Sequence, residues 1–173
     1  TKSSKLMKTK LFSFLFFIAT TSLFGQSTIT TEKGPLSIHP ILHSTMVMEW
    51  NGMTIYTDPY GGAAAFEGKK KADLILITDI HGDHLNLETL EALNVNETTI
   101  ITCQAVADQL PATFTNVKVM ANGAQLEWQE IVVEAIPMYN LPEDETSRHI
   151  KGRGNGYVLT MGGKRIYISG DTE

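Results

Sequence analysis

Apolar residues along this chain come in short runs rather than in long helical stripes, and the runs carry the β-branched and aromatic mix of strands. Residues 36–41 and 45–50 are read as two strands. Asn51-Gly52 is a strong type I′ turn signal, and residues 53–57 continue as the partner strand of a hairpin. That strand ends at Asp58-Pro59, and a loose Gly61-Gly62 loop follows. Residues 72–78 (ADLILIT) form a continuous apolar run, as expected for a strand buried on both faces. Asn86 can cap a short helix with Leu87, Leu90 and Leu93 on one side. Residues 99–103 make the next strand, and 104–110 a short helix closed by Pro111. Three β-type segments follow at 117–120, 125–128 and 131–136, with a turn at Asn122-Gly123 between the first two. Residues 142–155 are polar and Gly-rich, hence a loop. Residues 157–161 and 165–169 form a last hairpin through Gly162-Gly163. Strands with interspersed short helices predict a mixed α/β layered fold.

The amino terminus departs from this pattern. Lys8 and Lys10 precede an apolar run from Leu11 to Phe24, and small or polar residues follow at Gly25-Gln26-Ser27. The run is shorter than the roughly 20 apolar residues of a comfortable membrane span. Residues 1–26 are therefore read as a signal peptide, with an uncleaved anchor helix as the rival reading. Met7 is the only Met ahead of the run, so residues 1–6 read as an upstream extension. The expected product is exported, periplasmic or secreted, with no stable membrane span once the leader is removed. The rest, 34–173, is expected to be one domain. Four of the 14 basic residues (Lys2, Lys5, Lys8, Lys10) lie in the leader, so the remainder is more acidic than the net charge of −5. An acidic body argues against nucleic acid as the main partner, since phosphate binding needs clustered Lys and Arg. The lone cysteine, Cys103, ends an apolar run and reads as a small buried hydrophobe.

The chemistry is concentrated after the buried run. Asp79-Ile80-His81-Gly82-Asp83-His84 places four candidate metal ligands within six residues. Histidine and aspartate offer the N and O donors that Zn²⁺, Mn²⁺ or Fe accept. Side chains two apart on an extended segment share a face, so Asp79 and His81 can meet one ion. The Gly82 break turns Asp83 and His84 toward a second point. Two further elements are weak alone: His149, in the run Arg148-His149-Ile-Lys-Gly-Arg-Gly-Asn-Gly156, and Asp171, in a strand ending Gly170-Asp171-Thr172.

Together these elements resemble the metallo-β-lactamase superfamily, from about Leu36 to the end of the chain. Its signature is His-x-His-x-Asp-His after a buried strand, a later loop histidine, and a Gly-Asp-Thr whose Asp bridges two metals. Within it the chain resembles the subgroup of ascorbate-6-phosphate lactonases and related hydrolases, through His43-Ser44, Asp58-Pro59 and the stretch from Gly156-Tyr157 to Thr172. The resemblance implies an α/β, αββα sandwich of which this chain carries the N-terminal half to two-thirds. It implies one or two divalent transition metal ions, Zn²⁺ or Mn²⁺ with iron as a third candidate. Asp79, His81 and His149 would meet at one metal position and Asp83, His84 and Asp171 at the other. The implied activity is metal-dependent hydrolysis of an ester, lactone or phosphodiester bond in a small-molecule substrate, by a metal-bound hydroxide. Asp83 would be the catalytic residue that orients the hydroxide and takes its proton. Asp58 is a candidate for orienting a ligand histidine.

Two departures qualify the match. The first family histidine is Asp79 here, which makes a harder and more anionic site. Beyond Glu173 the family continues with further strands, a helix layer and usually one more histidine. These departures keep open a second class, an exported metal-binding protein of this fold that catalyses nothing.

Overall fold

The computed structural model describes residues 27–173, so the expected leader lies outside the described residues. Two sheets stack face to face. The larger has seven strands in sequence order: β1 (Ser27–Thr31), β2 (Gly34–Leu42), β3 (Thr45–Trp50), β4 (Met53–Thr57), β5 (Leu74–Ile77), β6 (Thr99–Thr102) and β7 (Val117–Val119). The smaller has four, in the order β11 (Lys164–Ile168), β10 (Gly154–Met161), β9 (Ile131–Met138) and β8 (Gln125–Trp128).

Local sequence explains the pairing. β1 to β4 are antiparallel hairpin neighbours. Asn51 and Gly52 both take positive φ, 48° and 81°, as a type I′ turn requires. From β4 onward the strands run parallel, because each pair is joined by a crossover that holds a helix or a helical turn. The Gly61-Gly62 loop, expected to be irregular, contains one such turn at Ala63–Phe66. The others are α1 (Leu87–Ala92) and α2 (Gln104–Ala107). Asn86 caps α1 by accepting from the Thr89 N–H at 2.9 Å. α2 stops at Ala107, short of the expected Leu110, and the chain turns once more before Pro111. β1 was not expected. Its STITT has no strong apolar pattern and is a strand because β2 supplies a partner.

β5 reads Leu-Ile-Leu-Ile and is wholly buried, since apolar cores form on both faces of its sheet. Leu74 and Leu76 face the core between the sheets, with Trp50, Ile101, Val133, Tyr157 and Leu159. Ile75 and Ile77 face the opposite core, against Leu90 of α1, Val106 of α2 and Phe66. Cys103 is buried in that second core, as expected of a small hydrophobe. The four-stranded sheet packs one face inward, and its other face carries the half-buried Val132, Glu134, Val158 and Thr160. Among the described residues no helix is long and apolar enough to cross a membrane.

Candidate metal centre

At one end of the sandwich three segments meet: the loop after β5, the loop before β10 and the exit from β11. The Asn155 N–H donates to the Thr78 carbonyl at 2.9 Å, tying the start of β10 to the end of β5. Glycines allow this approach. A Cβ on Gly154 would stand 3.0 Å from the Thr78 carbonyl oxygen, and one on Gly170 3.1 Å from the Thr78 Cβ.

This junction gathers side chains far apart in sequence. One ligand atom from each of Asp79, His81, His149 and Asp171 lies within 4.8 Å of all the others. The His81 and His149 rings stand edge to face, with centroids 5.0 Å apart. His149 Nε2 is 3.1 Å from Asp171 Oδ2 and 3.9 Å from Asp79 Oδ2. On the other side of Asp171, His84 Nε2 is 3.1 Å from Oδ1 and 4.0 Å from Asp83 Oδ2. The structure thus brings together the three residues expected at the first position. It places Asp171 between them and His84, with Asp83 at the periphery, its side chain 44% exposed.

Buried polar groups here lack the partners that such groups normally have. Both carboxylate oxygens of Asp79, Nδ1 of His81, Nε2 of His149 and Nε of Arg153 are buried without a hydrogen bond. Asp79 Oδ2 and His81 Nδ1 face each other at close contact. A divalent cation accepts such N and O donors at about 2.0–2.2 Å, so the donor set fits an ion that would satisfy the carboxylate and imidazole atoms together.

Each inner histidine is aimed by a residue behind it. Asn140 Oδ1 lies 2.5 Å from His149 Nδ1, which makes that nitrogen the donor and leaves Nε2 to face the cluster. Behind His84, Nδ1 is 2.9 Å from Asp58 Oδ2 and 2.9 Å from Thr78 Oγ1, with Ser44 Oγ at 3.3 Å. Asp58 is fully buried and accepts from the Thr78 N–H at 2.8 Å and the Thr78 hydroxyl at 2.7 Å. Burial works against a charged His84 ring. The hydrogen bond and charge of Asp58, then the charges of Asp171 and Asp83, outweigh it and push the ring's pKa up to about 9. Burial likewise pushes the Asp58 carboxyl up, countered in part by His84 and Thr78. The pair therefore holds a proton well above neutral pH in the metal-free protein.

Sequence reasoning gave no role to Asn140, Thr78 and Arg153, and quoted Ser44 only as part of the resemblance. Arg153 is four residues after His149, and Thr78 directly precedes the cluster, but no residue pattern gave either a role. His43 sits in the β2–β3 turn at φ 51°, exposed and edge-on to Tyr60 at 5.4 Å. His39 lies on β2, away from the centre, beside a cavity of about 390 Å³.

The fold and this arrangement define a class. The family described as the beta-lactamase superfamily domain matches residues 37–173, and the chain belongs to that family. It is similar to a UPF0173 metal-dependent hydrolase of Staphylococcus saprophyticus, 31% identical over 146 residues, covering 79% of this chain and 62% of that protein. Among solved structures, it resembles a Parabacteroides distasonis protein provisionally described as a metal-dependent hydrolase. The two are 32% identical with a TM-score of 0.76, covering 87% of this chain and 67% of the other. A diiron beta-hydroxylase of Streptomyces venezuelae shares the fold alone, at 20% identity and a TM-score of 0.60, over 78% of this chain and 29% of the enzyme. The chain spans about three-fifths of the length of the curated relatives it matches first.

Proposed function

We propose that the protein is a metal-dependent hydrolase of a small-molecule ester, lactone or phosphodiester. The observation that carries this reading is the buried, unpartnered donor set of Asp79, His81 and His149, with Asp171 beside it. The names of the hydrolase relatives support it. Asp83 and His84 would complete a second position on the far side of Asp171. A bound divalent ion would supply Lewis acidity and bring a water's pKa toward neutrality, with zinc and manganese the first candidates and iron the third.

The protein's own residues do the rest. Asp171, between His149 and His84, links the two positions. Asp83 is the most exposed acid of the set, so an attacking water can reach its carboxylate, which orients the water and takes its proton. Asp58 and Asn140 hold the two inner imidazoles in the orientation that presents Nε2. Sequence features still favour export through the leader, and the lactonase-like subgroup within the family.

The whole protein should carry one to two transition metal ions per chain on elemental analysis. Turnover on lactone and phosphodiester panels should vanish with chelator and with His81→Ala. Bound metal without chelator-sensitive turnover would favour the alternative of an exported, non-catalytic metal-binding protein. Folded protein with no metal affinity would sink both readings.

A further inference from the structure

Arg153 stands behind Asp79, and no part of the mechanism above uses it. Asp79 occupies the position at which the resembled signature has a neutral histidine. Its carboxylate is wholly buried and makes no hydrogen bond. A buried carboxylate without compensation is strongly unfavourable. On the Oδ2 side it faces His81 and His149. On the Oδ1 side it faces the guanidinium of Arg153, whose Nε lies 3.7 Å away, buried and unpartnered. The Arg153 side chain is 23% exposed, and its Nη2 is anchored on the Arg148 carbonyl, so the guanidinium is held in place from behind.

We infer that Arg153 is a positioning residue paired with Asp79: its charge, on the Oδ1 side, compensates the carboxylate and leaves Oδ2 as the oxygen presented to the cation. The inference rests on the metal centre proposed above. A neutral first ligand would need no such partner. A carboxylate there adds a negative charge to a set that already holds Asp83 and Asp171, and Arg153 offsets it. The guanidinium also disfavours bidentate binding by Asp79, because a cation shared between both carboxylate oxygens would be drawn closer to the positive charge on the Oδ1 side. Arg153 thus acts through Asp79 and not on the ion, so its contribution should depend on which residue stands at position 79.

A double-mutant cycle read by isothermal titration of the metal-free proteins with Mn²⁺, and separately Zn²⁺, tests this. Arg153→Gln should weaken metal binding by roughly 10–100-fold, as loss of an orienting partner does at other metal sites. In the Asp79→His background, Arg153→Gln should leave affinity unchanged or raise it, because the guanidinium then faces a neutral ring beside a cation. Arg153→Lys keeps the charge without the Nε–H and should fall between wild type and Gln. Equal losses in both backgrounds, or no loss with Asp79 in place, would overturn the pairing while leaving the centre intact. Wild-type protein that takes up neither ion would overturn the centre and the pairing together. Should Arg153→Gln fail to fold, the double variant, with no buried Asp79 carboxylate to compensate, is expected to fold. Failure of both alike would also overturn the pairing.

Discussion

Asp58 shows how much one side chain arranges here. It sits at φ 40°, past the end of β4, where its N–H donates to the Leu76 carbonyl at 2.9 Å and its own carbonyl accepts the Thr45 hydroxyl at 2.6 Å. So fixed, its carboxylate holds both Thr78 and His84. Because the His84 pKa is raised from 6.5 to about 9, the pair stabilises the metal-free fold fully below about pH 6.5. That contribution fades as pH rises toward 9. Thermal unfolding of the metal-free protein should therefore show a falling midpoint across this window, and Asp58→Asn should flatten the slope. The same variant should weaken metal binding by roughly 10–100-fold. A slope unchanged in Asp58→Asn would show that another group carries the proton. At the same scale, Asn140→Ala frees the His149 ring and should lower metal affinity, with Asn140→Asp, which keeps an acceptor, restoring much of it.

The elements matter through where they end. β5 ends beside the start of β10, joined by the Asn155 N–H and by Tyr157, whose hydroxyl donates to the Ile77 carbonyl at 3.0 Å. The Asn155 side chain donates to the Met120 carbonyl at 2.9 Å and accepts from Asn122 at 2.6 Å, so it also locks the link between β7 and β8. Gly154→Ala would press a methyl onto Met138, whose Cε would be 2.3 Å away, and onto the Thr78 carbonyl. Met138 can move but the Thr78 backbone cannot without shifting Asp79. The expected result is weakened metal binding together with a lower unfolding midpoint, measured by titration and calorimetry. In the core itself, Leu76→Ala should cost about 2–5 kcal/mol by denaturant unfolding, since Leu76 is fully buried between the sheets. Its effect on metal affinity should be the smaller of the two, because Leu76 stands two residues before Thr78.

For the whole molecule, metal and stability should be coupled. The centre draws on three segments separated by up to 92 positions, from Asp79 to Asp171, so an ion bound there closes long stretches of chain and binds the folded state alone. Chelation should lower the unfolding midpoint, and added Mn²⁺ or Zn²⁺ should raise it with concentration. A midpoint indifferent to both would contradict a metal centre joining these segments. The sequence by itself determined the strands from β2 to β11 to within a few residues, because alternation, turn glycines and the Asn86 cap are local properties of the chain. It also determined the cluster 79–84, where ligand types crowd behind a buried strand. Only the tertiary structure decided that the chain leaves the first sheet between β7 and β8, since two consecutive β-type segments do not encode by themselves whether they pair. The approach of His149 and Asp171 to Asp79, and the places of Asn140 and Arg153 behind that cluster, were likewise decided by packing. Their side chains gain a role only once glycines at 154 and 170 let two sheets close on Thr78.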